Sequence, residues 1–171
     1  MSSFELDVVD RFFAGTVGEP GNRTFFVQAV AGSTILSFKC EKQQVGALAE
    51  RVTEMLTDLP PAKSTTVSDV TPTLIQPVLA EWAIGAIGIG YEADRDRILI
   101  LFHELRTDAQ DESVDPFDSD NDANRARFTV TREQASEFAR HTSELVKAGR
   151  PTCGRCGMSI DTDGYRCACF N

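Results

Sequence analysis

The chain has 171 residues, of which 42 % are hydrophobic and 25 % charged, an ordinary composition for a soluble globular protein. This length allows one full-sized domain with a small appendage and excludes two independent cores of ordinary size. The formal net charge of -9 disfavours a large nucleic-acid footprint, because phosphate binding depends on clustered Lys and Arg side chains.

The first sixty residues predict a β-meander followed by a helix. Strand-like runs cover Arg11–Gly18, Arg23–Val30 and Thr34–Cys40. The turn-type sequences EPGN and AGS separate these runs, which is typical of neighbouring antiparallel strands. Apolar residues from Val45 to Leu56 then recur at the spacing of one helix face, and this helix is predicted to end before Pro60.

The same order of elements returns after a polar linker. Predicted strands cover Glu81–Tyr91, Arg97–Leu105 and Ala126–Thr131. Gly85, Gly88 and Gly90 interrupt the first of them and indicate a bulge or the close approach of another backbone. A second helix follows, with apolar residues from Ala135 to Val146.

Two segments, SFKCEKQQVGALAERVTEML and RFTVTREQASEFARHTSELV, align without a gap. Phe38 then falls over Phe128, and Gln44 over Gln134. We therefore predict an α+β domain over residues 1–149, built from two βββα halves of about 1–60 and 80–149 that are related by a weak internal repeat. The halves are expected to form an antiparallel sheet with two helices.

Four of the five cysteines cluster near the C-terminus. They are Cys153, Cys156, Cys167 and Cys169. A zinc site takes four thiolate or imidazole ligands, and a Cys-x-x-Cys turn presents two sulfurs to one ion, so we predict a zinc-ribbon-like tail over residues 150–171 with a structural metal. A redox pair is the alternative, and the single spacer of the second pair leaves open whether Cys169 is the fourth ligand. Cys40 stands apart and is predicted to be a buried small hydrophobe.

The stretch GTVGEPGNRTFF offers a second candidate site. Gly15, Gly18, Gly21 and Arg23 could form a turn whose amides and guanidinium group cradle an anion. The P-loop pattern is absent, because no Lys-Ser/Thr pair follows and the turn leads into a strand. A structural hairpin is therefore the favoured interpretation, and anion binding is the alternative.

Seven carboxylates crowd the segment over residues 107–124. They belong to Asp108, Asp111, Glu112, Asp115, Asp118, Asp120 and Asp122. The run DSDNDAN begins like a calcium-binding loop, but Ala123 and Thr129 stand where that loop needs glycine and glutamate. We therefore predict a solvated acidic loop.

Catalytic motifs are absent from the sequence: there is no Gly-x-Ser-x-Gly elbow, His-Glu-x-x-His helix or dinucleotide fingerprint. His103 and Glu104 are neighbours on a strand, so they point to opposite faces and cannot form a dyad with each other. His141 falls between the apolar positions of its helix and is predicted to be solvated.

Four stretches together carry a family resemblance: DRFFAGTVGEPGNRTFFVQA, EKQQVGALAERV, EWAIGAIGIGYEADRDRI and AGRPTCGRCGMSIDTDGYRC. Over nearly its whole length the chain resembles an actinobacterial domain-of-unknown-function family, DUF3090. Members usually carry Cys-Pro-x-Cys-Gly and then Gly-His-x-Cys-Pro-Arg. The resemblance implies that Tyr165 replaces the family's histidine and Cys169 its arginine, which turns a site of three cysteines and one histidine into an all-cysteine site. It also implies neighbouring genes for a kinase-like and a histidine-phosphatase-like protein.

Together these features predict a non-catalytic cytoplasmic interaction or adaptor module with a structural zinc ion. The cytoplasmic expectation follows from the lack of a membrane-length apolar run and of a secretion signal. The expected partners are proteins, including the kinase-like or phosphatase-like gene products, and a homo-oligomer is compatible with the sequence. The alternatives are an anion- or nucleotide-binding enzyme that uses the Gly15–Arg23 turn, and a nucleic-acid-binding zinc ribbon, which Arg150, Arg155 and Arg166 favour and the net charge opposes.

Overall fold

The computed structural model describes residues 3–19, 21–60, 72–106 and 124–148, together with Cys153, Arg155, Cys156 and Cys169. The strands are β1 (Ser3–Leu6), β2 (Arg11–Val17), β3 (Thr24–Ala31), β4 (Thr34–Cys40), β5 (Ala80–Glu92), β6 (Arg97–Glu104) and β7 (Arg125–Val130). The helices are α1 (Lys42–Asp58) and α2 (Arg132–Lys147). The strands form one seven-stranded sheet, and the predicted α+β class is confirmed. Neither helix has the length and apolar character needed to cross a membrane.

The sheet has the strand order β1-β7-β6-β5-β4-β3-β2. Neighbouring strands within each βββα unit are antiparallel, as predicted. Two parallel pairs, β4 with β5 and β1 with β7, join the units, so the complete sheet is mixed. The predicted acidic loop and most of the polar linker lie outside the described residues.

The sheet curls round until its two ends approach each other. β1 and β2 stand at opposite ends of the strand order, although residues 7–10 alone connect them along the chain. In a flat seven-stranded sheet those ends would be roughly 29 Å apart, because neighbouring strands are spaced by about 4.8 Å. The Phe12 ring of β2 nevertheless lies 5.6 Å from the Phe128 ring of β7. The sheet therefore encloses its interior as a barrel does.

The single strand β5 makes both kinds of strand pairing, parallel and antiparallel, that β1 and β2 make separately. The first residues of β5 pair in parallel with β4, and the rest of the strand pairs antiparallel with β6. In the same way β1 pairs in parallel with β7, and β2 pairs antiparallel with β3. The internal repeat thus extends to the strand pairing. The sequence pattern does not predict β1, because four residues are too few to show a strand periodicity.

Aromatic rings fill the enclosed interior. Phe38, Phe102 and Phe128 come from three strands and are fully buried, with ring centroids 5.5 to 5.7 Å apart in edge-to-face contact. α2 adds Phe138, whose ring lies 5.0 Å from that of Phe12. The repeat-related Phe38 and Phe128 are therefore in direct contact at the centre of the core.

Two glutamines related by the repeat connect each helix to the opposite half. Gln44 accepts a hydrogen bond from the backbone N–H that precedes α1, and its Nε2 donates to the carbonyls of Ile84 and Gly85, both at 3.0 Å. Gln134 caps α2 in the same way, and its Nε2 donates to the carbonyl of Val9 at 2.6 Å. Both side chains therefore serve as helix caps and as cross-links between the halves.

Gly85 lies at a register shift between β5 and β6. A Cβ atom at this position would come within 2.8 Å of the Leu105 Cα. A bulge and a close backbone approach were predicted as alternatives, and the structure shows both at this glycine, because no other residue leaves room for the neighbouring chain.

The prediction that His141 is solvated is wrong. Its ring is partly buried, and Nε2 lies 3.1 Å from the carbonyl oxygen of Ala14 in β2. α2 covers the β2 edge of the sheet, and His141 can satisfy one of the backbone carbonyls of that edge strand by donating from Nε2. Helix periodicity could not predict this contact, because it depends on the curling of the sheet.

The segment over residues 72–79 packs on the outer face of the sheet. Leu74 covers β2, while Ile75 is hydrogen-bonded to the side chain of Gln28 in β3. The Gln28 Oε1 accepts from the Ile75 N–H at 2.8 Å, and its Nε2 donates to the Ile75 carbonyl at 3.2 Å and to Ser37 at 3.0 Å. The side-chain amide of Gln28 thus makes the hydrogen bonds to this segment that the backbone of a neighbouring strand would otherwise make.

Replacing Gln28 by leucine is expected to lower the free energy of unfolding by about 1–3 kcal/mol, because the backbone groups of Ile75 lose their partners beneath a packed segment. Hydrogen exchange at the Ile75 amide should accelerate. The matched control is Gln43→Leu, at an exposed position of α1. Unchanged exchange at Ile75 in the Gln28 variant would contradict this account of the segment.

The β5–β6 turn is bound to α2 by a cluster of polar side chains. Asp96 accepts hydrogen bonds from Tyr91 and from Arg132 Nε, both at 2.6 Å. Arg132 also donates to Tyr91 and to the carbonyl of Pro60, which follows α1. The hydrogen bonds from Tyr91 and Arg132 hold the pKa of Asp96 below its ordinary value. We call these three residues, Tyr91, Asp96 and Arg132, the turn cluster.

The turn cluster predicts a pH dependence. A lowered pKa in the folded state means that ionised Asp96 stabilises the fold above about pH 4, the ordinary aspartate pKa, and that this contribution disappears as the pH falls through the folded-state value. The melting temperature of Asp96→Asn should therefore lie below that of the wild type at pH 7, and the two should converge in acid. Asp94→Asn, in the same exposed turn, is the control. A constant difference at all pH values would show that ionisation of Asp96 is not involved.

Candidate metal centre

Three sulfur atoms converge near the C-terminus. The Sγ atoms of Cys153, Cys156 and Cys169 all lie within 4.8 Å of one another. Those of Cys153 and Cys169 are 3.6 Å apart, although fifteen residues separate them in the chain. Cys167, the other predicted ligand, lies outside the described residues. The structure thus brings together three of the four predicted sulfur ligands in a group that could bind a metal ion.

The spacing of these sulfurs fits a shared metal ion. A disulfide requires about 2.05 Å between sulfurs, so Cys153 and Cys169 are not bonded to each other. Four thiolates around zinc, each at about 2.3 Å, place their sulfurs about 3.8 Å apart at the corners of a tetrahedron. The observed 3.6 Å is close to that edge length. The spacing of these two sulfurs is therefore compatible with a shared metal ion.

The cluster has a buried side and an exposed side. Cys153 is 3 % exposed, whereas Cys156, which follows it in the Cys-x-x-Cys turn, is exposed. Between them Arg155 extends its guanidinium group to the Cys169 carbonyl at 3.5 Å. This contact links the Cys-x-x-Cys turn to Cys169.

Cys40 does not belong to this group. It is buried in the core at the end of β4, as predicted. Burial, with a smaller contribution from the charge of Glu41, raises the pKa of the Cys40 thiol to about 12. The thiol therefore stays protonated and unreactive at neutral pH, unlike a metal-binding cysteine.

The residues of the predicted anion site have separate surroundings. Gly15 lies within β2 beneath Leu74, where a Cβ atom would come within 2.5 Å of the leucine Cγ. Gly18 and Gly21 have positive φ angles, as hairpin turns often require. Arg23 donates to the carbonyl of Ala148 at the end of α2, at 3.0 Å. Anion binding by this turn stays a prediction.

The candidates for enzyme chemistry occupy structural positions. His103 is buried in β6, and Glu104 accepts a hydrogen bond from Asn124 at 2.6 Å. The core residues Ile98, Ile100 and Phe102 mark the inner face of the strand, so strand alternation points His103 outward and Glu104 to the other side. This agrees with the expectation that the two do not form a dyad.

Fold and site together define the class: an α+β protein with a curled seven-stranded sheet and a C-terminal cysteine cluster that could bind a metal ion. Comparison with protein families then identifies the group. The family described as "Protein of unknown function (DUF3090)" matches residues 4–167, and the chain belongs to it. The match includes Cys153, Cys156 and Cys167 and ends two residues before Cys169. No curated protein and no solved structure matches the chain.

Proposed function

We propose that this protein is a non-catalytic interaction or adaptor module whose tail is folded by a structural zinc ion held by Cys153, Cys156, Cys167 and Cys169. The convergence of three thiol groups carries the proposal. A tail of about twenty residues cannot build a hydrophobic core of its own, so metal binding supplies much of its folding free energy. Four sulfur ligands leave no open coordination position, and the ion then has no catalytic role.

The choice of zinc rests on the ligands. Thiolates are soft donors that select zinc over magnesium or calcium, whose sites are built from oxygen atoms. Arg155 donates to the Cys169 carbonyl. This contact supports a site in which both ends of the tail close on one ion.

The interaction role is supported by the filled interior of the sheet. Lipocalin-type carriers hold their ligands in an open barrel interior, whereas here Phe12, Phe38, Phe102 and Phe128 occupy that space. The surface carries the excess of acidic charge, which suits recognition of a basic protein surface. We propose a cytoplasmic location and, following the family resemblance, the kinase-like and phosphatase-like gene products as partners.

Elemental analysis of the purified protein tests the metal directly, and about one zinc per chain is expected. A thiol-alkylating reagent should modify the four tail cysteines once the metal has been removed by a chelator. Cys40 should react only after the protein is unfolded. Titration calorimetry with the purified kinase-like protein, before and after chelation, then tests the adaptor role. Absence of a metal would refute the zinc site. A metal-loaded protein that binds neither gene product and turns over a nucleotide would instead support the enzyme alternative.

A further inference from the structure

A pocket of about 340 Å³ lies beside the N-terminal end of α2. Its lining includes Asp7 from the β1–β2 connection, Arg95 from the β5–β6 turn, Arg97 at the start of β6, Thr129 from β7, and Thr131, the residue that caps α2. Three stretches of the chain, within residues 7–9, 95–97 and 129–134, therefore meet at this point, and none of them belongs to the cysteine tail. The volume is at the lower end of the range of small-molecule sites.

Thr129 is the unexplained residue of this pocket. It is 2 % exposed, and its hydroxyl group has no hydrogen-bond partner among the residues that the structure describes. A buried hydroxyl without a partner costs free energy, and such groups in native proteins call for an explanation. Thr129 lines the pocket, and its hydroxyl hydrogen can rotate about the Cβ–Oγ1 bond to donate to a molecule bound there.

Two arginines give the pocket positive charge that is weakly paired among the described residues. Arg97 donates to the carbonyl oxygens of Arg95 and Asp96, at 3.2 and 3.1 Å, and its charge also acts on the Asp96 carboxylate, which Tyr91 and Arg132 already bind. Arg95 is half exposed, and its distances to Glu92 and Asp7 are long, at 3.4 and 3.9 Å. Both guanidinium groups can therefore turn toward an anion at little cost.

The N-terminal end of α2 contributes to the same pocket. The lining includes Thr131 and Gln134, and Thr131 accepts from the Gln134 N–H at 3.1 Å. The helix dipole favours negative charge at this end. Two guanidinium groups and one hydroxyl group thus line a small space beside the positive end of a helix.

We propose that this pocket binds a phosphate group, either as free phosphate or as the phosphoryl end of a small phosphomonoester. Arg95 and Arg97 neutralise the dianion, Thr129 donates a hydrogen bond to one of its oxygens, the positive end of the α2 dipole lies beside it, and the Asp7 carboxylate limits its affinity. The site is independent of the proposed zinc centre. The sequence alone did not predict this phosphate site. It singled out Thr129 only because this residue stands where a calcium-binding loop needs glutamate.

The experiment measures melting temperature and amide NMR shifts of the full chain against inorganic phosphate at constant ionic strength. The melting temperature should rise with phosphate, because a ligand of the folded form stabilises it, and the amides of Val8 and Thr131 should shift. Titration with O-phosphoserine distinguishes the source: tighter binding than inorganic phosphate indicates a phosphomonoester, and weaker binding indicates free phosphate. No response to either ligand, or a response that chloride reproduces, would overturn the proposal.

Variants separate the binding role of Thr129 from a structural one. Thr129→Val should weaken phosphate binding about tenfold, the usual effect of one hydrogen bond to a charged group, while raising the melting temperature without phosphate. Thr129→Ser should restore binding. Thr142→Val is the matched control, because Thr142 is a buried threonine of α2 whose hydroxyl also has no hydrogen-bond partner within the described part of the chain. It should stabilise the protein and leave the phosphate response unchanged. Equal phosphate affinity in Thr129→Val and the wild type would contradict the assignment.

Removing the Asp7 carboxylate should change the phosphate affinity in the opposite direction. Asp7→Asn removes a negative charge that lines the pocket and pairs weakly with Arg95, so phosphate affinity should rise several-fold. Arg97→Gln should lower the affinity by at least about tenfold. If both substitutions leave the phosphate titration unchanged, the anion does not occupy this pocket.

Discussion

Cys153→Ser is expected to reduce bound zinc from about one ion per chain to less than about a tenth of that value, because a three-sulfur site loses its metal readily to a chelator. Cys153 is the most informative position, since its thiol is buried and lies 3.6 Å from that of Cys169. Elemental analysis after dialysis against a mild chelator gives the readout. Far-UV circular dichroism should change little, because the sheet and helices have their own core.

Cys40→Ala is the matched control for the metal prediction. Its thiol is buried in the sheet core and protonated at neutral pH. The substitution should retain the zinc and lower the free energy of unfolding by about 1 kcal/mol, because it leaves a small cavity. If the Cys40 variant lost its metal and the Cys153 variant kept it, the prediction would be contradicted.

Phe38→Ala should lower the free energy of unfolding by about 3–5 kcal/mol, the cost of a large cavity in a well-packed core. The Phe38 ring is fully buried, and it contacts Phe4 at 6.2 Å, Trp82 at 4.6 Å, Phe102 at 5.6 Å and Phe128 at 5.7 Å. These neighbours lie on four different strands. The expected decrease in the free energy of unfolding is a large share of the roughly 5–15 kcal/mol that typically stabilises a domain.

Urea denaturation measures this effect, with Ile35→Ala as the control on the same strand. Ile35 is among the exposed large hydrophobic residues, so its truncation should cost less than about 1 kcal/mol. If Phe38→Ala unfolds within about 1 kcal/mol of the wild type, the aromatic interior does not hold the curled sheet together.

The filled interior determines where function can lie. Phe12, Phe38, Phe102 and Phe128 pack against one another in the interior with ring centroids 5.5 to 5.6 Å apart, whereas both proposed sites lie at the periphery of the sheet. The cysteine cluster follows α2, and the phosphate pocket lies at the beginning of α2. Both proposals thus concern the ends of one helix, which α1 and the curled sheet hold in place.

Much of the fold could be predicted from the sequence, because the relevant physical information is local. Apolar spacing of two and of 3.6 residues marks strands and helices, turn residues separate them, and the alignment of Gln44 with Gln134 indicated the repeat. The cysteine group was equally visible, since Cys-x-x-Cys and Cys-x-Cys bring ligands close together through short turns. For these features the sequence by itself was sufficient.

Other features depend on which strands meet, and the tertiary structure alone decided them. Curling of the sheet joins β1 to β7 and places His141 against the Ala14 carbonyl, while the pairing of β6 with β7 brings Thr129 close to Arg97. These contacts link residues far apart in the chain, and no periodicity in the sequence encodes their distance. They arise because two half-sheets with aromatic inner faces remove the most apolar surface from water by closing around a common core.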